Sequence, residues 1–223
     1  ALALGIADDG GLFLPLELPT FDDEVFAGVD SMHDVASVFL RPFFEGSSLA
    51  TELNDIIVET FRFPIPISVM PFEDGYCGIL ELFHGPTAAF KDVGAGFLAS
   101  CLSLLEGDPN NPLTILVATS GDTGGAVAAA FDGRAGMRVA VLYPDGRVSD
   151  RQAHQLTCWS ENVLSLSVKG TFDDCQALVK DAMGDADLSV LHRFSSANSI
   201  NIGRLLPQGI YYAHSALTHY RAT

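Results

Sequence analysis

The chain has 223 residues, 48% of them hydrophobic, so one large domain or two small ones can enclose a sizeable core. Its formal charge of −16 and pI of about 4.4, with no basic cluster to offset them, argue against nucleic acid or anionic lipid as partners. No apolar stretch approaches the roughly 18 residues of a membrane span, and the start "ALALGIADDGG" lacks the basic region of a signal peptide. A cytoplasmic protein is expected, with monomer and dimer both open. Ala1 stands where an initiator methionine is expected and "HYRAT" closes inside a helical pattern, so residues beyond both ends are predicted.

The first 70 residues read as helices and loops. "GLFLP" is a short extended piece, while "DDEVFAGV", "SMHDVASVFLRPFF" and "LNDIIVETFRF" carry helical apolar spacing. Pro64 and Pro66 interrupt, and "CGILELFH" reads as a strand running into the Gly85-Pro86 turn. "DVGAGFLASCLSLLEG" then reads as an almost wholly apolar helix. Short apolar strands alternate with helices after it. "LTILVATS" precedes "GAVAAAFDG", "MRVAVLYP" precedes "SDRQAHQLTCW", and "NVLSLSVKG" precedes "TFDDCQALVKDAM", with Thr171 placed as N-cap. "SVLHRFSSAN" supplies a candidate fourth strand and "GRLLPQGIYYAHSALTHY" a final helix. This alternation predicts an α/β fold with a parallel sheet covered on both faces, in three layers. The expected divisions are a mostly helical part over 1–91, a small parallel α/β domain over 92–200, and the start of a larger domain over 201–223.

Three stretches carry candidate chemistry. "HGPTAAFKD" holds Lys91, one of three lysines in the chain, next to Phe90 and at the start of the apolar helix. A lysine that attacks a carbonyl must shed its proton, which an apolar surround and the positive end of a helix both favour. The competing reading is a lysine whose head reaches solvent, which suits Lys169 and Lys180 better. Residues alone leave the two readings of Lys91 balanced. "TSGDTGG" follows a strand and opens a helix, so the N–H groups of its turn and the hydroxyls of Ser120 and Thr123 suit a carboxylate or phosphate. It matches neither the dinucleotide nor the P-loop pattern. An ordinary turn explains it almost as well, and Asp122 would weaken anion binding unless it contacts something else. In "SSANSINIGR", Asn198, Ser199 and Arg204 could meet a phosphate, though polar residues capping a helix are the commoner cause.

Nothing else competes. The histidines lack metal-ligand spacing, so no metal is expected, and Cys77, Cys101, Cys158 and Cys175 read as free thiols.

Together, "GGLFLP", "LELFHGPTAAFKD", "ATSGDTGGAVA", "LYPDGRVSDRQ", "GTFDDCQALVK" and "SANSINIGRLLPQ" resemble, in order, the motifs of the threonine synthase family, in its bacterial and fungal branch. The resemblance runs from residue 10 to residue 208. It implies a pyridoxal-5′-phosphate enzyme of the tryptophan-synthase-β fold group, fold type II, acting on O-phospho-L-homoserine and water to give L-threonine and phosphate. By similarity Lys91 is the Schiff-base lysine and proton carrier. Ser120, Gly121, Asp122 and Thr123 form the loop that receives the substrate carboxylate, and Asp122 also faces the cofactor. Asn198, Ser199 and Arg204 match the substrate-phosphate residues, and His84 with the Gly85-Pro86 turn shapes the pocket beside Lys91. A phospholyase or dehydratase on another amino acid, or a non-catalytic binding module on the same scaffold, are the alternatives. The family's glycine-rich loop for the cofactor phosphate comes after "QGIYYAHSA", so this stretch by itself is expected to be inactive.

Overall fold

The computed structural model describes every residue except 6, 8–10, 73, 74, 199, 200 and 223. A 3-10 turn over Asp23–Phe26 leads to helices α1 (Met32–Phe44) and α2 (Leu53–Thr60). Strands β1 (Ile67–Phe72) and β2 (Gly75–Leu80) pair as an antiparallel hairpin. The chain then runs through α3 (Lys91–Glu106), β3 (Leu113–Ala118), α4 (Asp122–Phe131), β4 (Met137–Pro144) and α5 (Asp150–Thr157). It ends with β5 (Val163–Val168), α6 (Phe172–Gly184), α7 (Ala186–Leu191), β6 (Arg193–Ser196) and α8 (Ile202–Ala222).

The alternation after residue 92 has its expected outcome, a four-stranded parallel sheet in the order β5-β4-β3-β6. Leu113 of β3 sits between Met137 of β4 and Arg193 of β6. Residues alternate across the sheet, as the period of a strand requires. Ile115, Val117, Val139 and Val141 face α3 and α4, whereas Leu116 and Leu142 meet Cys175 and Val179 of α6. These are the three layers of the predicted α/β fold. The fourth strand is where "SVLHRFSSAN" placed it. The first residues of that stretch end the unexpected short helix α7, which begins upstream where Asp185 accepts from the N–H groups of Asp187 and Leu188 at 2.9 and 3.0 Å. Thr171 caps α6 as expected, through a reciprocal box with Asp174.

The extreme apolarity of α3 has a packing cause. Ala95, Leu98, Ala99 and Leu102 pack against the sheet, while Val93, Phe97 and Cys101 join a second core. That core is built from Leu40 and Phe44 of α1, Ile56 and Ile57 of α2, and Ile210 and Tyr211 of α8. A helix buried on both sides carries no polar face. Its N-terminus is therefore held by two cores at once, and Lys91 is its first residue.

One sequence expectation is corrected. "CGILELFH" does not run as one strand into Gly85, because β2 ends at Leu80 where its partner β1 begins at Ile67. The proline pair suggested a break, and Pro66 in fact only opens the hairpin, its carbonyl accepting from Glu81 N–H at 2.9 Å.

Candidate active site

Two loop-to-helix junctions build the site. The first is the loop 84–92. Asp92, buried in the first turn of α3, folds its carboxylate back over the loop. Oδ2 accepts from Thr87 N–H at 2.9 Å and Ala89 N–H at 3.5 Å, and Oδ1 accepts from the Thr87 hydroxyl at 2.5 Å. A Cβ at Gly85 would stand 2.5 Å from Oδ2, so only glycine lets the carboxylate so close. Ala88 sits at φ +56°, a left-handed conformation that costs a non-glycine residue on the order of 1 kcal/mol and persists because its neighbours are pinned.

Lys91 leaves this loop with its side chain 24% exposed. Its Nζ lies 5.0 Å from the Phe90 ring centre and 3.7 Å from Asp122 Oδ2. Phe90 and the start of α3 stand beside Lys91 as the sequence placed them, and the Lys91 amine is the contact the sequence left open for Asp122.

The second junction is Thr119 to Thr123, between β3 and α4. The buried Thr119 hydroxyl accepts from Gly121 N–H at 3.1 Å and Gly124 N–H at 2.9 Å, and donates to Gly121 C=O at 2.9 Å. One hydroxyl thereby uses its full capacity. The N–H groups of Ser120, Asp122 and Thr123 have no acceptor among the described residues, and they stand at the positive end of a ten-residue helix. Gly121 has φ +156°, and a Cβ there would come within 2.3 Å of Gln152 Nε2. That amide donates to Asp122 Oδ1 at 3.1 Å.

Part of the third predicted stretch lies beside the second junction. The chain winds from β3 outward to β4 and β5, then returns to β6 on the other side of β3. At such a reversal the strand ends part and leave a crevice. A cavity of about 160 Å³ lies there, its lining including Ser120, Thr123, Gln176, Lys180, Ser196 and Asn198 but neither Lys91 nor Arg204. Among the described residues Asn198 Oδ1 is buried without a partner. Arg204, 3% exposed on α8, donates from Nη1 to Ala197 C=O at 2.9 Å, while its Nε is unpaired. Among the described residues no carboxylate pairs with it. Burial pulls its pKa down to about 10, which leaves it charged at neutral pH. A buried cation without an anion is costly, so a position beside Arg204 suits an anionic group.

Two candidates are not joined to these groups by any contact among the described residues. Ser199 lies outside the described residues. His84 pairs through Nε2 with Glu81 at 2.6 Å and lies against Phe83, so its partners do not include Lys91. The Ser68 hydroxyl, and after it His84, holds the Glu81 carboxyl below its ordinary value. Sequence reasoning missed Asp92, Thr87 and Thr119, which hold the loops, and Gln152, which holds Asp122. Only Gln152 left a readable sign, the S-x-x-Q spacing from Ser149 that makes a capping box. Lys180, read as a solvent lysine, is exposed and also lines the cavity.

A lysine amine beside a turn with unpaired N–H groups, with an uncompensated guanidinium on α8, fits an aldehyde cofactor that carries anionic groups. The family model described as "Pyridoxal-phosphate dependent enzyme" matches residues 79–206, which include both junctions and Arg204. The chain belongs to the pyridoxal-phosphate dependent enzyme family. A second model, "Threonine synthase N terminus", matches residues 1–61. The chain is 44% identical to a threonine synthase of Buchnera aphidicola subsp. Baizongia pistaciae over 214 residues, covering 95% of this chain and 49% of the relative. It is 42% identical to the threonine synthase of Escherichia coli K12 over 217 residues, with the same shares covered. Among solved structures, the PLP-bound threonine synthase from Brucella melitensis superposes with a TM-score of 0.86 at 39% identity, covering 97% of this chain and 48% of that one. The chain thus spans about half the length of the curated relatives it matches, and its sheet and helices are those of this fold type II group.

Proposed function

We propose that this chain supplies the cofactor lysine and the substrate loop of a threonine synthase, which turns O-phospho-L-homoserine and water into L-threonine and phosphate. The observation that carries the reading is the 3.7 Å approach of Lys91 Nζ to Asp122 Oδ2. It sets the amine at the start of one helix beside the unpaired N–H groups at the start of another. The threonine synthases that match along nearly the whole of this chain support the same reading.

Pyridoxal phosphate, held through Lys91, supplies an electron sink for negative charge at the substrate carbons. The protein's own groups have separate tasks. Lys91 Nζ holds the cofactor and, once released from it, carries a proton between substrate carbons, with Asp122 keeping the amine oriented. The N–H groups of the 120–123 turn, with the hydroxyls of Ser120 and Thr123, bind the substrate carboxylate, and Gly121 lets the turn adopt its shape. Asn198, Ser199 and Arg204 take the phosphate, and Arg204 stabilises it as it leaves. His84 and the Gly85-Pro86 turn form the edge of the pocket. Among the described residues no helix is long and apolar enough to cross a membrane, and the four cysteines are free. A cytoplasmic setting is part of the same proposal.

The test uses the complete gene product. It is mixed with pyridoxal phosphate, reduced with borohydride and mapped by peptide mass, while phosphate and threonine are measured from O-phosphohomoserine. Label on the peptide carrying Lys91, with equimolar phosphate and threonine, is the expected result. Phosphate without threonine would move the reaction to a phospholyase, and label that survives Lys91→Ala would remove the lysine from its role.

A further inference from the structure

Helix α5 touches both junctions, and no part of the chemistry above uses it. Gln152 and Gln155 are three residues apart and so share one face of the helix. Gln152 Nε2 donates to Asp122 Oδ1 at 3.1 Å, in the substrate loop. Gln155 Nε2 donates to the carbonyl of Thr87 at 3.2 Å, in the lysine loop. The helix itself is fixed. Leu156 is buried in the sheet core, and Trp159 Nε1 donates to Gln155 C=O at 2.6 Å. Ser149 N–H and hydroxyl, each at 3.1 Å from Gln152 Oε1, orient that amide so that its NH2 can face only outward to Asp122.

The two loops come from distant parts of the sequence and meet side chain to side chain through Lys91 and Asp122. A pair at 3.7 Å between partly exposed groups is too weak to set its own geometry. We propose that Gln152 and Gln155 are positioning residues, a two-point clamp on α5 that sets the lysine loop and the substrate loop in register. Gln152 acts through Asp122, turning Oδ2 toward Lys91, and Gln155 acts through the Thr87 carbonyl, one residue from strained Ala88. The inference rests on the reading of Lys91 as the cofactor lysine.

Gln152→Glu is the informative variant. It keeps the acceptor that caps α5 through Ser149, and so keeps the helix, but it replaces the donor facing Asp122 with a second carboxylate. In the complete gene product, the rate at which added pyridoxal phosphate becomes fixed to Lys91 by borohydride should fall about tenfold, as expected for a displacement of well under 1 Å at a reacting group. The same change in an Asp122→Asn background should cost less than about twofold, because the Asn amide can donate to the new carboxylate. Gln155→Met should slow fixation about tenfold in either background, since it acts through a different loop. Equal slowing by Gln152→Glu in both backgrounds would mean a merely structural role and would overturn the proposal, as would an unchanged rate in either glutamine variant. Fixation that survives Lys91→Ala overturns the underlying reading of the lysine instead, so the two failures are distinct.

Discussion

The two junctions solve one problem, a sharp turn into a buried helix, with opposite use of their polar groups. In the loop 84–92 the N–H groups of Thr87 and Ala89 point inward to the Asp92 carboxylate, and a strained Ala88 is held between them. In the turn 119–123 a single Thr119 hydroxyl takes only Gly121 and Gly124, so the intervening N–H groups remain open. The first loop spends the Thr87 and Ala89 N–H groups on its own carboxylate and offers a side chain, Lys91. The second leaves its backbone free and offers that. A covalent anchor needs a rigid base, whereas an anion cradle needs unfilled donors.

Three substitutions would break this contrast at different depths. Lys91→Ala removes what the first loop presents, and turnover in the complete gene product should fall by about a thousandfold or more, in phosphate and threonine release alike. The 120–123 turn is untouched by that change, so competitive binding of a substrate analogue should weaken by less than about tenfold. Next in size is Asp92→Ala, which leaves two N–H groups and a hydroxyl without their charged acceptor. Hydrogen bonds to a buried carboxylate are worth more than neutral ones, and the loss should be about 3 kcal/mol by urea unfolding. Thr119→Val, nearly isosteric, should cost about 1–2 kcal/mol in the same measurement, because the two N–H groups it strands lie at a helix end that water can reach. An equal cost for Asp92→Ala and Thr119→Val would undo the claim that the first loop is the more self-contained.

The sequence made some of this legible and hid the rest for physical reasons. The sheet order could be anticipated as far as parallel strands with covered faces, because "LTILVATS" and "MRVAVLYP" are short, β-branched and bounded by glycine or proline. The candidate contacting groups, Lys91 and the 120–123 turn, could be singled out as a scarce lysine and a glycine-rich turn at helix starts, but only the six-motif resemblance set them above a solvent lysine and an ordinary turn. The holding groups were not. Asp92, Thr119 and Gln155 are ordinary residues in ordinary places, and their roles exist only once the loop folds back or a distant helix docks. The hairpin of β1 and β2 was missed because Pro64 and Pro66 mark an interruption without saying what resumes after it.

The smallest predicted effect concerns the helices that follow the two junctions. Helix α4 buries only apolar groups and glycines on the sheet, but α3, pressed between two cores, also buries the Cys101 thiol. Burial pushes the Cys101 pKa from 9.0 up to about 12. The sign follows from proton counts. Between pH 9 and 12 the unfolded chain gives up the proton and the native state keeps it, so stability is lost as pH rises through that window and is unaffected below it. The slope reaches at most about 1.4 kcal/mol per pH unit, and the part within reach lies just above pH 9. Urea midpoints at pH 8 and pH 10 in the parent and in Cys101→Ala separate this from the cavity the substitution leaves, since a cavity shifts both midpoints equally. The parent should lose more stability between the two pH values than Cys101→Ala does. Matching losses would mean that the thiol ionises inside the fold, and that α3 is less firmly enclosed around Cys101 than the two cores imply.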